Sequence, residues 1–232
     1  MQKKHRRLKE NNVAVSWSGG KDSCLALYKM LQKRDNVSYL LNTISDDFQR
    51  VRFHGVPRAI MQKQAGAISI PLYQQKTAAS EYEHDYMQAL YKLKQHGVDT
   101  LVFGDIHLTD CLAWAKKVTK SADMQLSEPL WGSQTERLFT EIIKVGFEAV
   151  VVSTQADLLE ESWVGRRLDE DFLRDIKRLK GIDICGENGE YHTLVLDGPI
   201  FKKRLVIRKA QKVRREGYWF LDIQKCDLVD KE

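Results

Sequence analysis

A short β-branched run that ends in a glycine turn constrains the fold of this 232-residue chain more than any other feature. VAVSW at 13–17 predicts a buried strand, SGGKDS at 18–23 a tight turn, and the apolar spacing of CLALYKMLQK at 24–33 an amphipathic helix. This order is typical of an open α/β sheet, in which ligands bind beyond the carboxyl ends of the strands. The sequence therefore predicts an α/β fold with a ligand-binding turn after the first strand.

The alternation of strand and helix patterns continues along most of the chain. Helical spacing follows Pro57, Ser80 and Ser133, and apolar runs predict further strands at 37–44, 67–72, 99–105 and 147–154. Strands separated by helices imply right-handed crossovers. We therefore expect a doubly wound parallel sheet of the Rossmann-like type.

Local signals predict the ends of two helices. Ser80 with Glu83, and Ser133 with Glu136, have the spacing of capping boxes at helix N-termini. Gly97 follows the last apolar position of the helix that starts near Ser80, where a glycine cap is expected. These signals predict where the two helices start and where the first of them stops.

The pattern changes in the last third of the chain. YHTLVLDG at 191–198, KRLVIRK at 203–209 and YWFLDI at 218–223 predict strands with no helix between them. We therefore expect a smaller C-terminal α+β region with its own sheet. The predicted organisation is a nucleotide-type α/β domain over 1–127 and a C-terminal region over 128–232.

Composition excludes several classes of protein. No window approaches the ~18 uninterrupted apolar residues of a membrane helix, and the first residues have no apolar core typical of a signal peptide. We therefore expect a cytoplasmic protein with no membrane partner. The four cysteines form no CxxC pair, which argues against a zinc ribbon or a thioredoxin-like site.

Positive charge is concentrated in two places. The formal net charge is only +5, but residues 1–127 carry 19 basic and 12 acidic residues, and the stretch 202–215 holds eight basic residues and no acid. Such regions favour a phosphate-rich ligand.

The turn at 18–23 has the chemistry of a phosphate site. Its two glycines let the backbone approach a phosphate, and the amides of the turn and of the first helical turn form an anion cradle. Ser18 and Ser23 add hydroxyl donors, and Lys21 adds positive charge. The spacing is that of neither a Walker A loop nor a GxGxxG loop. The alternative interpretation is a structural Gly-Gly turn with Asp22 as a capping residue.

A second motif, GENGEYHT at 186–193, places two acids, an amide, a phenol, an imidazole and a hydroxyl just before a predicted strand. So many hydrogen-bonding side chains in one loop favour a polar ligand site. The alternative interpretation is a hairpin turn with Asn188 and Gly189 at its corner.

Together the two motifs resemble the diphthine–ammonia ligase family, a branch of the N-type ATP pyrophosphatases, which have a PP-loop and a HUP-type Rossmann-like fold. The resemblance extends over RVRFHGV at 50–56, IPL at 70–72, VFGDI at 102–106, EPLWG at 128–132, GRRLDEDFL at 165–173 and GENGEYHTLVLDGPIF at 186–201. Among them, RVRFHGV and the GDI and PLWG segments are more similar to a bacterial-type branch of the family. Leu112, Ala113 and Ala115 stand where relatives tend to have arginines, a change that weakens contact with an acidic acceptor.

The resemblance implies a two-step reaction. ATP adenylates a carboxylate and releases pyrophosphate, and ammonia then displaces AMP to leave an amide. The implied cofactors are ATP and Mg²⁺. The implied substrates are ammonia, from solution or from a partner protein, and a carboxylate-bearing acceptor such as the modified protein side chain diphthine.

The resemblance also implies roles for individual residues. The ATP phosphates are expected at the phosphate loop, at the end of the strand at 99–105 and in the loop after the second strand, that is at Ser18, Gly19, Gly20, Lys21, Asp22, Ser23, Arg52, His54, Gly104 and Asp105. The acceptor side is expected at Glu187, Asn188, Gly189, Glu190, Tyr191, His192 and Thr193. The expected catalytic residues are Lys21, Asp22, Glu190 and His192, of which Glu190 or His192 accepts a proton from ammonium.

Some of these roles have simpler alternatives. Asp22 and Asp105 are the expected Mg²⁺ contacts, although no ligand cluster is evident in the sequence. Asp105 is as well explained as a helix N-cap. Arg52 and His54 are as well explained as parts of a surface loop.

Two other functions fit the same loop. A transfer-RNA-modifying ATP pyrophosphatase would adenylate a base, with RNA bound by the basic stretch 202–215 and by Tyr218, Trp219 and Phe220. We favour a solvated strand face with an aromatic core side for that stretch, so nucleic acid is not the preferred partner. A regulatory protein that binds ATP or AMP without turnover is the third interpretation.

Overall fold

The computed structural model describes residues 12–51 and 54–231. Within them the α-helices are α1 (Lys21–Gln32), α2 (Arg58–Ile68), α3 (Tyr82–Gln95), α4 (Thr109–Ser121), α5 (Thr135–Lys144) and α6 (Glu170–Ile176). The strands are β1 (Asn12–Ser16), β2 (Asn36–Ser45), β3 (Leu72–Thr77), β4 (Thr100–Val102), β5 (Gln125–Ser127), β6 (Glu148–Gln155), β7 (Tyr191–Asp197), β8 (Lys203–Arg215) and β9 (Tyr218–Asp230).

The first sheet of the described residues is parallel and has the strand order β3-β2-β1-β4-β5. Its central strand β1 alternates between two cores: Val13 and Val15 face a core that includes α1 and α2, and Ala14 faces one that includes α3 and α4. Period-two alternation thus buries both faces of the sheet under helices. This confirms the predicted doubly wound α/β fold.

The second sheet is antiparallel, with the order β7-β6-β9-β8. Strands β8 and β9 form a long hairpin whose turn residues Glu216 and Gly217 both have positive φ, at 48° and 80°, as a two-residue type I′ turn requires. The predicted C-terminal region with its own sheet is therefore confirmed. One buried cluster runs from Val13 to Cys226 and joins both sheets, and the division at 127/128 stays a prediction.

Two strand predictions need correction. The predicted strand at 67–72 is wrong, because Ala67 and Ile68 complete the buried face of α2, and the αL residue Ser69 (φ 63°) caps that helix. The strand that follows is β3, a partly exposed edge strand with the polar sequence LYQQKT, so no apolar run marks it. The run at 147–154 does form a strand, but β6 belongs to the antiparallel sheet.

The predicted capping boxes are also wrong. A 3₁₀ turn occupies Ala79–Glu81, and α3 begins after it without a side-chain cap, while Glu83 pairs with Lys117 at 2.6 Å. At α5 the N-cap is Gln134, and Glu136 pairs with Lys177 at 2.6 Å. In both cases the glutamate forms an ion pair on the protein surface instead of the hydrogen bond to the N-cap backbone that a capping box requires.

The C-terminal cap of α3 is confirmed. Gly97 has φ 87°, and the N–H of Val98 donates to the Leu93 carbonyl at 3.0 Å, which is a Schellman-type bond.

Helices long and apolar enough to cross a membrane are absent from the described part of the chain.

Candidate active site at the carboxyl edge of the parallel sheet

The strand order changes direction between β1 and β4, which are neighbours in the sheet. The phosphate loop, residues 18–23, follows β1, and Gly104 and Asp105 follow β4. Two elements that the sequence predicted at separate points therefore meet at the topological switch point, where open α/β sheets bind ligands.

The phosphate loop has a backbone that admits only small residues. Gly19 has φ 76°, and a Cβ there would lie 2.4 Å from Met61 Cε. A Cβ on Gly20 would lie 3.0 Å from His54 Cε1 and 3.1 Å from the Thr193 carbonyl oxygen. The first turn of α1 begins at this loop, so backbone N–H groups without intrahelical acceptors are presented there. This is the geometry of an anion cradle.

Gln64, a residue that the sequence reasoning missed, holds the phosphate loop in place. Its side chain is fully buried, its Nε2 donates to the carbonyls of Gly19 (2.9 Å) and Val195 (2.8 Å), and its Oε1 accepts from Trp17 Nε1 (3.0 Å). A single amide thus ties the loop to α2 and to β7. The only sequence signal is a glutamine on the apolar face of a predicted helix.

Lys21 lies beneath the loop and points toward the second motif. It is 2% exposed, its ammonium donates to Asp22 Oδ2 (2.8 Å) and to the Cys185 carbonyl, and it lies 5.1 Å from the centre of the Tyr191 ring. Burial is the largest influence on the pKa of Lys21 and lowers it, but the charge and hydrogen bond of Asp22 together with the charges of Cys185 and Glu187 outweigh burial, and the net pKa is raised from its ordinary value of 10.5. Lys21 is therefore a buried cation that joins the two motifs.

Four carboxylates lie in or around the loop, those of Asp22, Asp105, Glu128 and Glu187, and their negative charges repel one another. Burial, then repulsion from Glu128 and Asp22, raises the pKa of Asp105 to about 6. Burial raises the pKa of Glu187 to about 7, opposed by its hydrogen bond from the Ile106 N–H and supported by repulsion from Asp22. Burial also raises the pKa of Glu128. A site with this much negative charge favours a cation or a cation-bound ligand.

The fit of this site to Mg²⁺ can be judged from the oxygen atoms themselves. Asp22 Oδ1 and Glu128 Oε1 are buried and have no hydrogen-bond partner among the described residues. Carboxylate oxygens of this kind are what Mg²⁺ prefers, usually one or two of them together with substrate phosphates and water. No group of three or more His, Cys, Asp and Glu side chains close enough to hold a metal occurs in residues 12–51 and 54–231. The residues fit a Mg²⁺ shared with a phosphate ligand.

The stability of the protein is expected to fall as the pH rises through the pKa of Glu187. The folded carboxyl titrates at about 7 and an ordinary one at 4.5, so between these values the folded chain retains a proton that the unfolded chain has released. Unfolding therefore becomes easier with rising pH in this window. Denaturant unfolding of Glu187→Gln, which keeps an acceptor for Ile106, should show a weaker pH dependence than the wild type. Equal dependence in both proteins would contradict the assigned pKa.

The second motif is folded against the phosphate loop by its own polar groups. Glu187 Oε1 accepts from the N–H of Ile106 (2.7 Å), just beyond Asp105, and Thr193 Oγ1 accepts from the N–H of Lys21 (3.0 Å). The motif therefore forms one wall of the site, with contacts to the residues after both β1 and β4.

Glu190 lies inside the loop. It is 2% exposed, and its carboxylate accepts from the N–H of Asp183 (2.8 Å), the N–H of Asn188 (3.0 Å) and Asn188 Nδ2 (3.0 Å). Gly189 turns the chain between them with φ 91°. Tyr191 is 1% exposed, and its hydroxyl donates to the Ile184 carbonyl at 2.6 Å. These contacts fix the conformation of the motif, so Glu190, Asn188 and Tyr191 have structural roles in it.

His54 and His192 form a pair of rings over the loop, which the sequence did not predict as a pair. Their centroids are 4.7 Å apart with a 38° tilt. Burial lowers the pKa of His54 to about 4, and burial together with the charges of His54 and Lys21 holds the pKa of His192 well below 6.5. Both rings are therefore neutral near pH 7. His54 Nδ1 lies 3.0 Å from the Thr193 carbonyl, which only accepts, so Nδ1 carries the proton and Nε2 the lone pair.

Gly104 brings the end of β4 against the phosphate loop. A Cβ there would lie 2.9 Å from the carbonyl carbon of Asp22, a backbone atom that cannot move aside without a shift of the main chain.

The structure also places the remaining residues that the sequence predicted. The N-cap of α4 is Leu108, not Asp105, so the capping alternative for Asp105 is wrong. Ser18 and Ser23 are also within the loop, with their hydroxyls 3.3 Å apart. Arg52 lies outside the described residues.

Comparisons with known proteins identify both halves of the chain. The sequence model of the diphthamide synthase N-terminal domain matches residues 11–126, and that of the diphthamide synthase C-terminal domain matches residues 134–229. The two models together cover the residues of the site except Glu128, which lies between the two matched ranges.

Curated relatives named diphthine–ammonia ligase are similar over almost the full chain. The Bos taurus protein is 26% identical, over 91% of this chain and 88% of that protein, and the Danio rerio protein is 28% identical, over 84% and 86%. The Schizosaccharomyces pombe protein is 26% identical over 90% of this chain, which spans 38% of that longer protein. A solved structure described as a predicted subunit of tRNA methyltransferase from Methanocaldococcus jannaschii DSM is 15% identical, with 81% of this chain and 97% of that chain covered, and the TM-score is 0.44.

Proposed function

The chain belongs to the diphthamide synthase family, and we propose that it is an ATP-dependent amide-forming ligase that adenylates a carboxylate and transfers ammonia to it. The observation that carries the proposal is the union of the two motifs around one anion cradle: Thr193 accepts from the N–H of Lys21, and Glu187 accepts from the N–H of Ile106. These two contacts support a single site made of the phosphate loop and the second motif.

In the first step a carboxylate oxygen of the acceptor forms a bond to the α-phosphorus of ATP, and the bond from that phosphorus to the oxygen bridging to the β-phosphorus breaks. Pyrophosphate leaves with the electron pair. The loop amides other than that of Lys21, which donates to Thr193, and the hydroxyls of Ser18 and Ser23 hold the departing phosphates, since donors fixed in advance stabilise developing negative charge. Holding both reactants at one sheet edge supplies the remaining rate enhancement through proximity.

Mg²⁺, when bound, would neutralise phosphate charge as pyrophosphate departs. The residues suited to hold it are Asp22 and Glu128, whose buried oxygens Oδ1 and Oε1 find no partner among the described residues, with Asp105 beside them.

In the second step the nitrogen of ammonia forms a bond to the carbonyl carbon, the bond from that carbon to the AMP oxygen breaks, and AMP leaves with the electron pair. The nitrogen then has to lose a proton. The contacts favour His192 over Glu190 as its acceptor, because the Glu190 carboxylate already accepts three hydrogen bonds from its own loop. The His192 imidazole is neutral, and its centroid lies 4.7 Å from that of His54, whose ring lies against Gly20. Glu190 is then a positioning residue.

The proposal is tested with ATP–pyrophosphate exchange in the presence of Mg²⁺ and a panel of acceptors. Exchange that depends on a protein or a small carboxylate is the expected result. Exchange that requires RNA would support the RNA-modifying enzyme instead, and nucleotide binding without exchange under any condition would support a regulatory protein. The RNA-modifying alternative is less favoured, because Lys203, Arg204 and Arg208 of the basic stretch 202–215 are paired with acids at 2.9–3.1 Å, which reduces the positive charge available to RNA phosphates.

A further inference from the structure

The peptide group that joins Gly19 to Gly20 can face either of two ways, and only one of them offers its N–H to a ligand. In a trans peptide the carbonyl and the following N–H point in opposite directions. Type I and type II turns differ by a rotation of such a peptide, and glycine tolerates both. The two glycines alone therefore do not fix which way the peptide faces.

In this structure the Gly19 carbonyl faces the protein interior. Its oxygen accepts from Gln64 Nε2 at 2.9 Å and from the N–H of Val195 at 3.0 Å, which occupies both of its lone pairs. The Gly20 N–H consequently points the other way, where the Ser18 hydroxyl accepts from it at 3.3 Å. That bond is longer than a normal N–H···O bond, so a phosphate oxygen can replace the hydroxyl as the acceptor.

Gln64 can hold the carbonyl because its own amide has a single orientation. Trp17 Nε1 only donates, and it lies 3.0 Å from Gln64 Oε1. The carbonyls of Gly19 and Val195 only accept, and both are bonded to Gln64 Nε2. Exchanging the oxygen and the nitrogen of the side chain would break all three bonds, and at 0% exposure solvent does not reach them. The glutamine is therefore a fixed double donor.

Turning the peptide over would leave buried donors without acceptors. The Nε2–H of Gln64 and the N–H of Val195 now meet the Gly19 oxygen, and both residues are fully buried. After the rotation these donors would face the Gly20 N–H, which cannot accept, and a buried donor that loses its acceptor is costly. The direction of the Gly20 amide is thus set by a side chain that lies beneath the loop.

From this geometry we propose that Gln64 is a positioning residue, which locks the Gly19–Gly20 peptide so that the Gly20 N–H donates to a phosphate oxygen. Gln64 does this from the interior, without contact with the nucleotide. A donor that is oriented before the reaction stabilises developing charge without reorganisation. This role rests on the proposed function, because it requires that the loop holds the pyrophosphate end of ATP.

The test uses the only Gly-Gly pair in the sequence, which is Gly19–Gly20. In protein labelled with ¹⁵N and carbonyl ¹³C at glycine alone, an HNCO spectrum therefore contains a single peak, which reports the Gly20 N–H and the Gly19 carbonyl together. We expect saturation with pyrophosphate and Mg²⁺ to move the Gly20 proton downfield in the wild type, because an anion is a stronger acceptor than a hydroxyl.

Gln64→Met keeps a similar side-chain volume but has no donor. We expect it to weaken pyrophosphate binding about tenfold in isothermal titration calorimetry and to reduce the downfield shift of the Gly20 proton. In the free variant the Gly19 carbonyl signal should move upfield, because that carbonyl loses one hydrogen bond. Gln62→Met, at an exposed position of the same helix, is the matched control and should leave the affinity and the peak unchanged.

A purely structural role of Gln64 would lower stability without changing pyrophosphate affinity in the folded variant. Pyrophosphate that binds the wild type without moving the Gly20 proton, or that binds Gln64→Met as tightly as Gln62→Met, would overturn the positioning role and leave the proposed function in place. The expected pattern without acceptor-dependent exchange would instead remove the ligase function and keep the role of Gln64. Failure of the wild type to bind pyrophosphate would overturn both.

Circular dichroism shows whether Gln64→Met is folded. If it is not, Gln64→Glu takes its place, because the glutamate keeps the shape of the side chain and the acceptor for Trp17 but cannot donate to both carbonyls. We expect the same weakening of pyrophosphate binding from it, and binding as tight as that of the wild type would overturn the role.

Discussion

Replacing Asp22 with asparagine is expected to lower the rate of ATP–pyrophosphate exchange by about 10²–10³-fold, a size typical of the loss of one preorganised electrostatic contact. Asp22 Oδ1 is buried and has no partner among the described residues, so its charge is available to a Mg²⁺ that accompanies the phosphates. The asparagine keeps an oxygen that accepts from the Lys21 ammonium, which is 2.8 Å from Asp22 Oδ2. Because the asparagine carries no charge to pair with the buried Lys21 ammonium, the variant should also be somewhat less stable. The exchange rate is therefore measured on protein that circular dichroism shows to be folded.

Asp110→Asn is the control for that variant. Asp110 is the acid in the first turn of α4, as Asp22 is in the first turn of α1, but it is exposed. We expect normal exchange from it. Undiminished exchange in a folded Asp22→Asn protein would remove Asp22 from the catalytic site.

Replacing Lys21 with methionine is expected to lower the free energy of unfolding by about 2 kcal/mol, because the change removes a buried ammonium that bonds to Asp22 and to a carbonyl. The loss is smaller than for a fully buried ion pair, because the Asp22 side chain is 27% exposed and keeps part of its hydration. Lys21 is 2% exposed, and its ammonium is bonded to Asp22 and to the Cys185 carbonyl. Methionine fills a similar volume but donates nothing. Denaturant unfolding monitored by circular dichroism measures the change.

Lys29→Met, in the same helix, is the matched control. Lys29 pairs with Glu141 at 2.6 Å, but the side chains of Lys29 and Glu141 are 27% and 31% exposed, so both are more exposed than that of Lys21. Pairs this exposed contribute up to about 1 kcal/mol. A Lys21→Met change as small as that of Lys29→Met would show that the buried ammonium does not hold the two motifs together.

The fold was predictable wherever a residue's environment depends on its near neighbours in sequence. The run around Val13 and Val15 is buried on both faces and gives β1, and the Gly-Gly turn after it leads into α1, as the pattern predicts. Edge strand β3 has no such pattern, because partial exposure permits Gln and Lys in it. The sheet to which β6 belongs depends on its pairing with β7 and β9, which lie further along the chain.

The residues of the site were predictable as a set, and their individual geometry was not. The motif at 18–23 and the motif at 186–193 do lie together, yet their proximity arises from a contact of Lys21 with Thr193, 172 positions later. The pairing of His54 with His192 and the bonds made by Gln64 are likewise set by tertiary structure. A titratable residue such as Glu190 looks catalytic in a sequence until its hydrogen-bond partners are known.

The point at which ATP is cleaved can be measured with radioactive phosphorus at the α position, using the wild-type protein, Mg²⁺, ammonium and the carboxylate acceptors of the exchange panel. Cleavage between the α and β phosphates predicts that the label appears in AMP, with pyrophosphate released in equal amount and with both products formed about 10²–10³-fold more slowly by Asp22→Asn. Label that accumulates in ADP would contradict adenylation of a carboxylate at this loop.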